Sequence, residues 1–140
     1  MTPTKYLVDS SFLYSLLDKK DPRHRIATQF ASVRAAQLII PYVVMTEVGY
    51  LCRERTGIHA VMAFMLAMVN FRGEFEGVTR DDLLRSREII GIYASARFDF
   101  VDCCLMAMTE RMNITRVCTF DRRDFSMFVP KHVPHLDLLP

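Results

Sequence analysis

The chain has 140 residues, 51% of them hydrophobic and 24% charged, with a formal net charge of +2. These values predict one folded domain spanning residues 1–140 and exclude a disordered chain. The longest apolar run, Ala60 to Val69, is too short for a membrane span of ~20 residues.

Tyr6-Leu7-Val8 predicts a short strand, which ends at Asp9-Ser10-Ser11. These three residues favour helix N-caps, and hydrophobic residues follow them at helical spacing. Pro22 then fits the first turn of a second helix. We expect that helix to bury the following residues: Ile26, Phe30 and Val33.

The middle of the chain alternates between the same two kinds of element. Leu38-Ile39-Ile40 is a continuous apolar run, typical of a strand covered on both faces. The next elements are predicted as helices over Val43–Arg55 and Ile58–Phe71, a strand over Glu74–Val78, and a helix that Thr79 caps and that ends near Tyr93.

A helix and a short strand are predicted in the last third of the chain. The helix is predicted from apolar residues at spacings of 4, 3 and 4 along the sequence: Val101, Leu105, Met108 and Met112. Asn113 can end that helix, because Asn tolerates the left-handed conformation. The remaining predictions are a strand over Arg116–Phe120, a helical turn over Arg122–Phe125 and a last strand within Val133–Leu138.

The alternation of strands and helices predicts an α/β fold with three layers, a central, mostly parallel sheet with helices on both faces. In such sheets the ligand site lies beyond the carboxyl ends of the strands. Four carboxylates fall at positions that this topology can bring to one edge: Asp9, Glu47, Asp102 and Asp121.

Each of these acids also has a purely structural interpretation. Asp9 can act as a helix N-cap, although Ser10 and Ser11 can cap equally well. Asp102 can be a first-turn acid, but Asp99 can supply the cap instead. Asp121 is preferred to Asp124 because it follows the strand end directly. Glu47 is the only charged residue between Gln37 and Cys52, and a lone carboxylate beside an apolar stripe needs compensation.

Several carboxylates in one pocket repel one another and raise each other's pKa, and a divalent cation removes that penalty. Oxygen ligands suit Mg²⁺ or Mn²⁺ better than zinc. The four cysteines contain no CxxC pair and are interpreted as reduced core thiols of a cytoplasmic protein. Asp9 also interrupts the N-terminal segment before a signal peptide can form.

Four segments together resemble PIN domains, and among them the VapC-type ribonuclease toxins of toxin–antitoxin pairs. They are LVDSS, IIPYVVMTEVGYL, FDFVDCCLMAMTER and VCTFDRRDF. The resemblance covers nearly the whole chain. Cys103 replaces the alanine that usually follows the third aspartate, and Asn113 replaces a glycine.

The resemblance implies a PIN-like fold and Mg²⁺- or Mn²⁺-dependent endonucleolytic cleavage of RNA, which leaves 5′-phosphate and 3′-hydroxyl ends. The catalytic set is then Asp9, Glu47, Asp102 and Asp121, with Asp9, Asp102 and Asp121 binding the metal. Ser11, Asp99 and Asp124 would support the site. The arginines near these acids are candidates to bind RNA phosphates: Arg53, Arg97, Arg122 and Arg123.

The resemblance also implies a homodimer and a cognate antitoxin, for which the Met-rich helix at Val61–Val69 is a candidate surface. Two alternatives remain open: an RNA-processing nuclease that is not a toxin, and a non-catalytic acidic module that binds metal or regulates. A receiver-like phospho-acceptor would need a late lysine, and only Lys131 is available. A haloacid dehalogenase phosphatase would need an aspartate at the position of Ser11.

Overall fold

The computed structural model describes residues 3–140, which form a five-stranded parallel sheet between two layers of helices. The predicted three-layer α/β/α fold is confirmed. The strands are β1 (Tyr6–Val8), β2 (Leu38–Pro41), β3 (Glu74–Glu76), β4 (Arg116–Cys118) and β5 (Asp137–Leu139). The helices are α1 (Ser10–Leu17), α2 (His24–Ser32), α3 (Tyr42–Arg55), α4 (Ile58–Val69), α5 (Arg80–Ile92), α6 (Phe100–Arg111) and α7 (Arg123–Met127).

The sheet has the strand order β3-β2-β1-β4-β5, with every neighbouring pair parallel. β1 is central, and Leu7 pairs with Ile39 on one side and with Val117 on the other. The chain proceeds from β1 to β2 and β3 on one side and later to β4 and β5 on the other. The loops after β1 and β4 therefore diverge, which opens a crevice at their carboxyl ends.

The core consists of the strands and the helices that cover them. Leu7, Val8 and Val117 are fully buried in the sheet. α6 is buried from Val101 to Thr109 except at Asp102, which is half-buried. A helix this enclosed holds its first turn rigidly against the sheet edge, which matters for Asp102.

Local signals in the sequence predict two of the helix ends correctly. Thr79 caps α5, its hydroxyl accepting a hydrogen bond from the Asp82 backbone N–H while the Asp82 carboxylate accepts one from the Thr79 N–H. Asn113 has a φ of 52°, the left-handed conformation expected after α6.

The predicted inward face of α2 is wrong at two positions. Ile26 and Val33 are exposed, by 52% and 77%. Ala27 is buried instead, and Phe30 packs edge-on against Tyr6 and Phe12. These aromatic contacts set the rotation of the short helix about its axis. Its own apolar pattern therefore does not predict which side faces the core.

Two helices leave apolar side chains exposed to solvent. On α4 they include Met62, Met65, Leu66 and Val69, and on α5 they include Leu83, Leu84, Ile90 and Ile92. Within residues 3–140 no helix is long and apolar enough to cross a membrane.

Candidate active site

An open cavity of about 310 Å³ lies at the carboxyl edge of the sheet, and we call it the acidic cleft. The structure brings all four predicted acids to it, together with the predicted supporting residues. The carboxylates that line the cleft are Asp9, Asp21, Glu47, Asp99, Asp102, Asp121 and Asp124. The side chains come from the loops after β1 and β4, from the turn before α2, from α3, from the start of α6 and from α7.

Asp9 is buried at the end of β1 and is the N-cap of α1. Its Oδ1 accepts hydrogen bonds from the Phe12 N–H at 2.9 Å and the Ser11 hydroxyl at 2.8 Å, and its Oδ2 accepts one from the Thr119 hydroxyl. Burial raises the pKa of Asp9 to about 6, although these hydrogen bonds oppose the shift. Capping and a place in the cleft are thus compatible for one carboxylate.

The hydroxyls of Ser11 and Thr119 connect the ends of β1 and β4. Ser11 Oγ accepts the Phe120 N–H at 2.9 Å, and Thr119 Oγ1 accepts the Asp121 N–H at 3.0 Å. Both hydroxyls also donate to Asp9. The backbone that presents Asp121 is therefore fixed relative to the Asp9 carboxylate.

Asp102 lies in the first turn of α6. Burial, and then the charges of Asp9, Asp99 and Asp124, raise its pKa to about 8. Asp124 is itself buried and accepts hydrogen bonds from Arg123 Nη1 at 2.6 Å and from the Asp99 N–H at 3.4 Å. Asp124 thus contributes directly to the electrostatics of Asp102.

The remaining predicted acids of the cleft are Glu47, Asp99 and Asp121, none of which is fully buried. Glu47 is half-buried, whereas Asp99 and Asp121 are exposed. Asp99 occupies the N-cap position of α6 without a side-chain capping hydrogen bond.

In the described part of the chain, the ion pairs at the cleft are Arg123–Asp124 and a long Arg23–Asp21 contact of 3.8 Å. The remaining cleft carboxylates have no cationic partner there.

The chemistry of the donors fits a hard divalent cation, since they are carboxylate and hydroxyl oxygens. Among residues 3–140, no three His, Cys, Asp or Glu side chains are gathered closely enough to hold a metal ion as they stand. Burial raises the pKa values of both Asp9 and Asp102, and repulsion by neighbouring carboxylates adds to the shift, most strongly at Asp102. A bound cation would favour their ionised forms.

Nearby thiols and Lys131 do not add to this set. Burial raises the pKa of Cys103 and of Cys118 to about 12, so both remain thiols. Lys131 lies beside Glu110 and Glu88, away from the cleft. A receiver-like site would therefore lack its lysine at this position.

Three arginines line the cleft, and only Arg97 was among the sequence candidates. Arg97 has a φ of 55°, an unfavourable left-handed conformation for a residue with a Cβ, and it lies just before α6. The sequence candidates Arg53, Arg122 and Arg123 are not part of the cleft lining; Arg122 donates to the Pro140 carbonyl and Arg123 to Asp124.

The other two arginines in the lining, Arg23 and Arg55, were missed by sequence reasoning. Glu47, Leu51 and Arg55 recur every four residues on α3, which is a signal that could have identified Arg55. Arg23 belongs to the turn before α2, and no local pattern predicts that this turn reaches the cleft.

Comparison with known proteins gives a consistent family and fold. The family model described as PIN domain matches residues 6–128. Ribonuclease VapC26 of Mycobacterium tuberculosis is 23% identical over 124 residues, covering 89% of this chain and 92% of that protein.

Two solved structures share the fold. Mycobacterium tuberculosis VapC20, titled a sarcin–ricin loop cleaving toxin, has a TM-score of 0.81 at 24% identity, covering 92% of this chain and 98% of that one. The DNA-bound VapBC complex of Salmonella typhimurium has a TM-score of 0.69 at 14% identity and covers 97% of both chains.

Proposed function

This chain belongs to the PIN domain family, and from that premise we propose that it is a divalent-metal-dependent endoribonuclease, the toxin of a toxin–antitoxin pair. The observation that carries the proposal is the convergence of Asp9, Glu47, Asp102 and Asp121 on one cleft at the carboxyl edge of the sheet. Similarity to a protein named as a ribonuclease and to one titled as a toxin supports RNA as the substrate.

The residues that would hold Mg²⁺ or Mn²⁺ are Asp9, Asp102 and Asp121. When bound, such an ion supplies a water of lowered pKa and neutralises charge on the phosphoryl oxygens. The mutual repulsion among the cleft carboxylates supports this role, since it disappears when a cation is shared between them.

Side chains of the protein would then position the metal ligands and the attacking water. Ser11 and Thr119 fix the Asp9 carboxylate and the backbone of Asp121 relative to each other. Glu47, half-buried on α3, would coordinate the metal or accept a hydrogen bond from the attacking water. Asp99 and Asp124 would support Asp102 through their contacts at the start of α6.

Arg97 is our proposed contact to an RNA phosphate inside the cleft. An arginine in an unfavourable backbone conformation at a cleft is consistent with a functional constraint. Arg53, Arg122 and Arg123 would meet RNA only outside the cleft.

We also propose an antitoxin partner and a homodimer in the cytoplasm. The exposed apolar faces of α4 and α5 support two protein interfaces, since such side chains gain from being covered. The four free, buried cysteines fit a reducing compartment.

The test is incubation of total RNA with purified protein and Mg²⁺ or Mn²⁺, beside an EDTA control and the Asp102→Asn variant. We expect fragments with 5′-phosphate ends that require both the metal and Asp102. Identical fragments from wild type and variant would instead show contamination and remove the support for catalysis.

A further inference from the structure

Two arginines that line the acidic cleft lack a close carboxylate partner, unlike the arginines that join α5 and α6. Arg85 and Arg111 form close ion pairs with Glu110 and Asp82. In the described residues Arg55 has no ion pair, and Arg23 has only the long contact to Asp21. Both nevertheless line a cleft that contains several unpaired carboxylates.

Aromatic rings hold these two guanidinium groups instead of carboxylates. The Cζ atom of Arg23 lies 4.9 Å from the centre of the Phe120 ring, and that of Arg55 lies 4.7 Å from the centre of the Tyr14 ring. A guanidinium over an aromatic face is attracted to the ring and can still donate hydrogen bonds from its N–H groups to a ligand. Such an arrangement is suited to a phosphate, which accepts two parallel hydrogen bonds from one arginine.

An open groove of about 630 Å³ adjoins the cleft at Arg55. It shares Tyr14, Asp21 and Arg55 with the cleft, and its wall carries the exposed Lys19 and Lys20.

The two carboxylates in the groove are already engaged by internal donors. Asp18 accepts the Tyr14 hydroxyl at 3.0 Å and the Lys20 N–H at 2.9 Å, and Asp21 accepts the Arg23 N–H at 2.8 Å. Lys19, Lys20 and Arg55 nevertheless outnumber these two carboxylates in the lining, so the groove keeps a small positive formal charge, and its lysines have no ion pair within residues 3–140.

We propose that Arg23 and Arg55 bind the phosphates of a single RNA strand on one side of the cleaved bond and direct that strand into the groove beside Lys19 and Lys20. The inference rests on the proposed ribonuclease function. It adds the direction of the strand and two positioning residues. A positively charged groove that follows the backbone is a common feature of proteins that bind single-stranded nucleic acids.

The test measures equilibrium binding, so that it does not depend on turnover. The probe is a fluorescent 20-nucleotide single-stranded RNA of mixed sequence, and the protein carries Asp102→Asn so that the probe stays intact. Arg23→Gln and Arg55→Gln are each added to this background. The matched controls are Arg25→Gln, two residues along on α2, and Arg87→Gln on α5, both exposed and outside the cleft and groove.

We expect each cleft variant to weaken binding about 10-fold, as for loss of a charged hydrogen bond. The slope of log affinity against log salt should fall in magnitude by about 0.7 per lost contact. The controls should stay within about twofold of the parent, the usual range for an exposed residue without a role. Arg55→Lys should restore the slope but only part of the affinity, because the charge returns without the planar fork.

Cleft variants that match their controls would overturn the assignment, as would a parent that fails to bind the probe. If the Arg23→Gln and Arg55→Gln variants bind RNA unchanged but lose a co-purified protein, the arginines contact that protein. This result would also overturn the assignment. Metal-dependent cleavage of RNA by the wild type is measured separately. A failure of the arginine assignment can therefore be distinguished from a failure of the nuclease proposal.

Discussion

Asp9 and Asp82 are each only 2% exposed, yet their electrostatic surroundings are opposite. Both oxygens of Asp82 lie within 3.1 Å of Arg111 Nε. Asp9 accepts hydrogen bonds from two hydroxyls and one N–H and has no cation beside it in the described structure. Two equally buried aspartates of the same chain therefore differ in whether a cation neutralises their charge.

The contrast extends to their neighbourhoods. Between α5 and α6, Arg85 bonds both oxygens of Glu110 at 2.7 and 3.0 Å, and the pKa of Glu110 is lowered although burial acts to raise it. In the acidic cleft, burial and neighbouring charges raise the pKa of Asp102 to about 8. The carboxylates between α5 and α6 are paired with arginines of the chain, whereas Asp9 and Asp102 in the cleft have no cationic partner among the described residues, which is the pattern expected of a functional site.

The largest expected difference between the two regions is in activity. Asp102→Asn should reduce RNA cleavage by about 10³-fold, since metal stabilisation of the transition state is worth several kcal/mol. Asp82→Asn should change kcat/KM less than about twofold when it is measured at a temperature where the variant is folded. Comparable losses in both variants would mean that the cleft has no special role.

The same substitutions should affect stability in the reverse order. Asp82→Asn should lower the free energy of unfolding by about 3 kcal/mol, because Arg111 loses its charged partner in a partly buried site. Asp102→Asn should not destabilise the protein at pH 8 in EDTA. Urea unfolding measures both, with Asp81→Asn as an exposed control expected within about 0.5 kcal/mol of wild type. An equal loss in the two variants would remove the contrast.

A divalent metal should stabilise the protein only where the cleft carboxylates are intact. Mg²⁺ or Mn²⁺ at 100 times its Kd should raise the free energy of unfolding of wild type by about 2.7 kcal/mol. Asp82→Asn should retain this increment, since its site is distant from the cleft, and Asp102→Asn should lose most of it. Thermal shift with and without EDTA gives the answer; an increment retained in Asp102→Asn would argue against that residue as a ligand.

Stability should also depend on pH in a way that separates the two regions. The pKa values of Asp9 and Asp102, about 6 and about 8, lie above the ~3.9 of an unfolded aspartate. The folded state thus binds protons more tightly, and stability in EDTA should fall as pH rises from ~4 through ~8. Urea midpoints across this range should fall less steeply for Asp102→Asn.

Glu110 acts in the opposite direction. Its lowered pKa gives stabilisation above the ordinary glutamate range that is lost as pH falls through the folded value. Glu110→Gln should therefore reduce the loss of stability at acid pH and leave the slope above pH 6 unchanged. A change confined to the neutral range would contradict this assignment.

Features that depend on neighbouring residues could be predicted from the sequence. The strand Tyr6–Val8, the Thr79 cap and the left-handed Asn113 follow from short-range rules, and the structure has each of them. The gathering of Asp9 and Asp121 was predictable because parallel strands end at a common edge.

Features that depend on tertiary packing could not be read in this way. The exposure of Ile26 follows from aromatic contacts of Phe30 with β1 and α1. The contact of Asp124 with the start of α6 and the stacking of Arg23 on Phe120 each join segments at least 25 residues apart. Neither has a local pattern that identifies it.

Asp9 is both the N-cap of α1 and a cleft carboxylate, and this dual role limits which substitutions leave a folded protein. Replacement of Asp9 by a residue without a side-chain acceptor leaves the Phe12 N–H without its partner, so the fold and the cleft should weaken together. The Asp102→Asn variant should instead stay folded while it loses the proposed activity. A genetic selection against that activity should therefore recover full-length, folded protein more often with changes at Asp102 than with changes at Asp9.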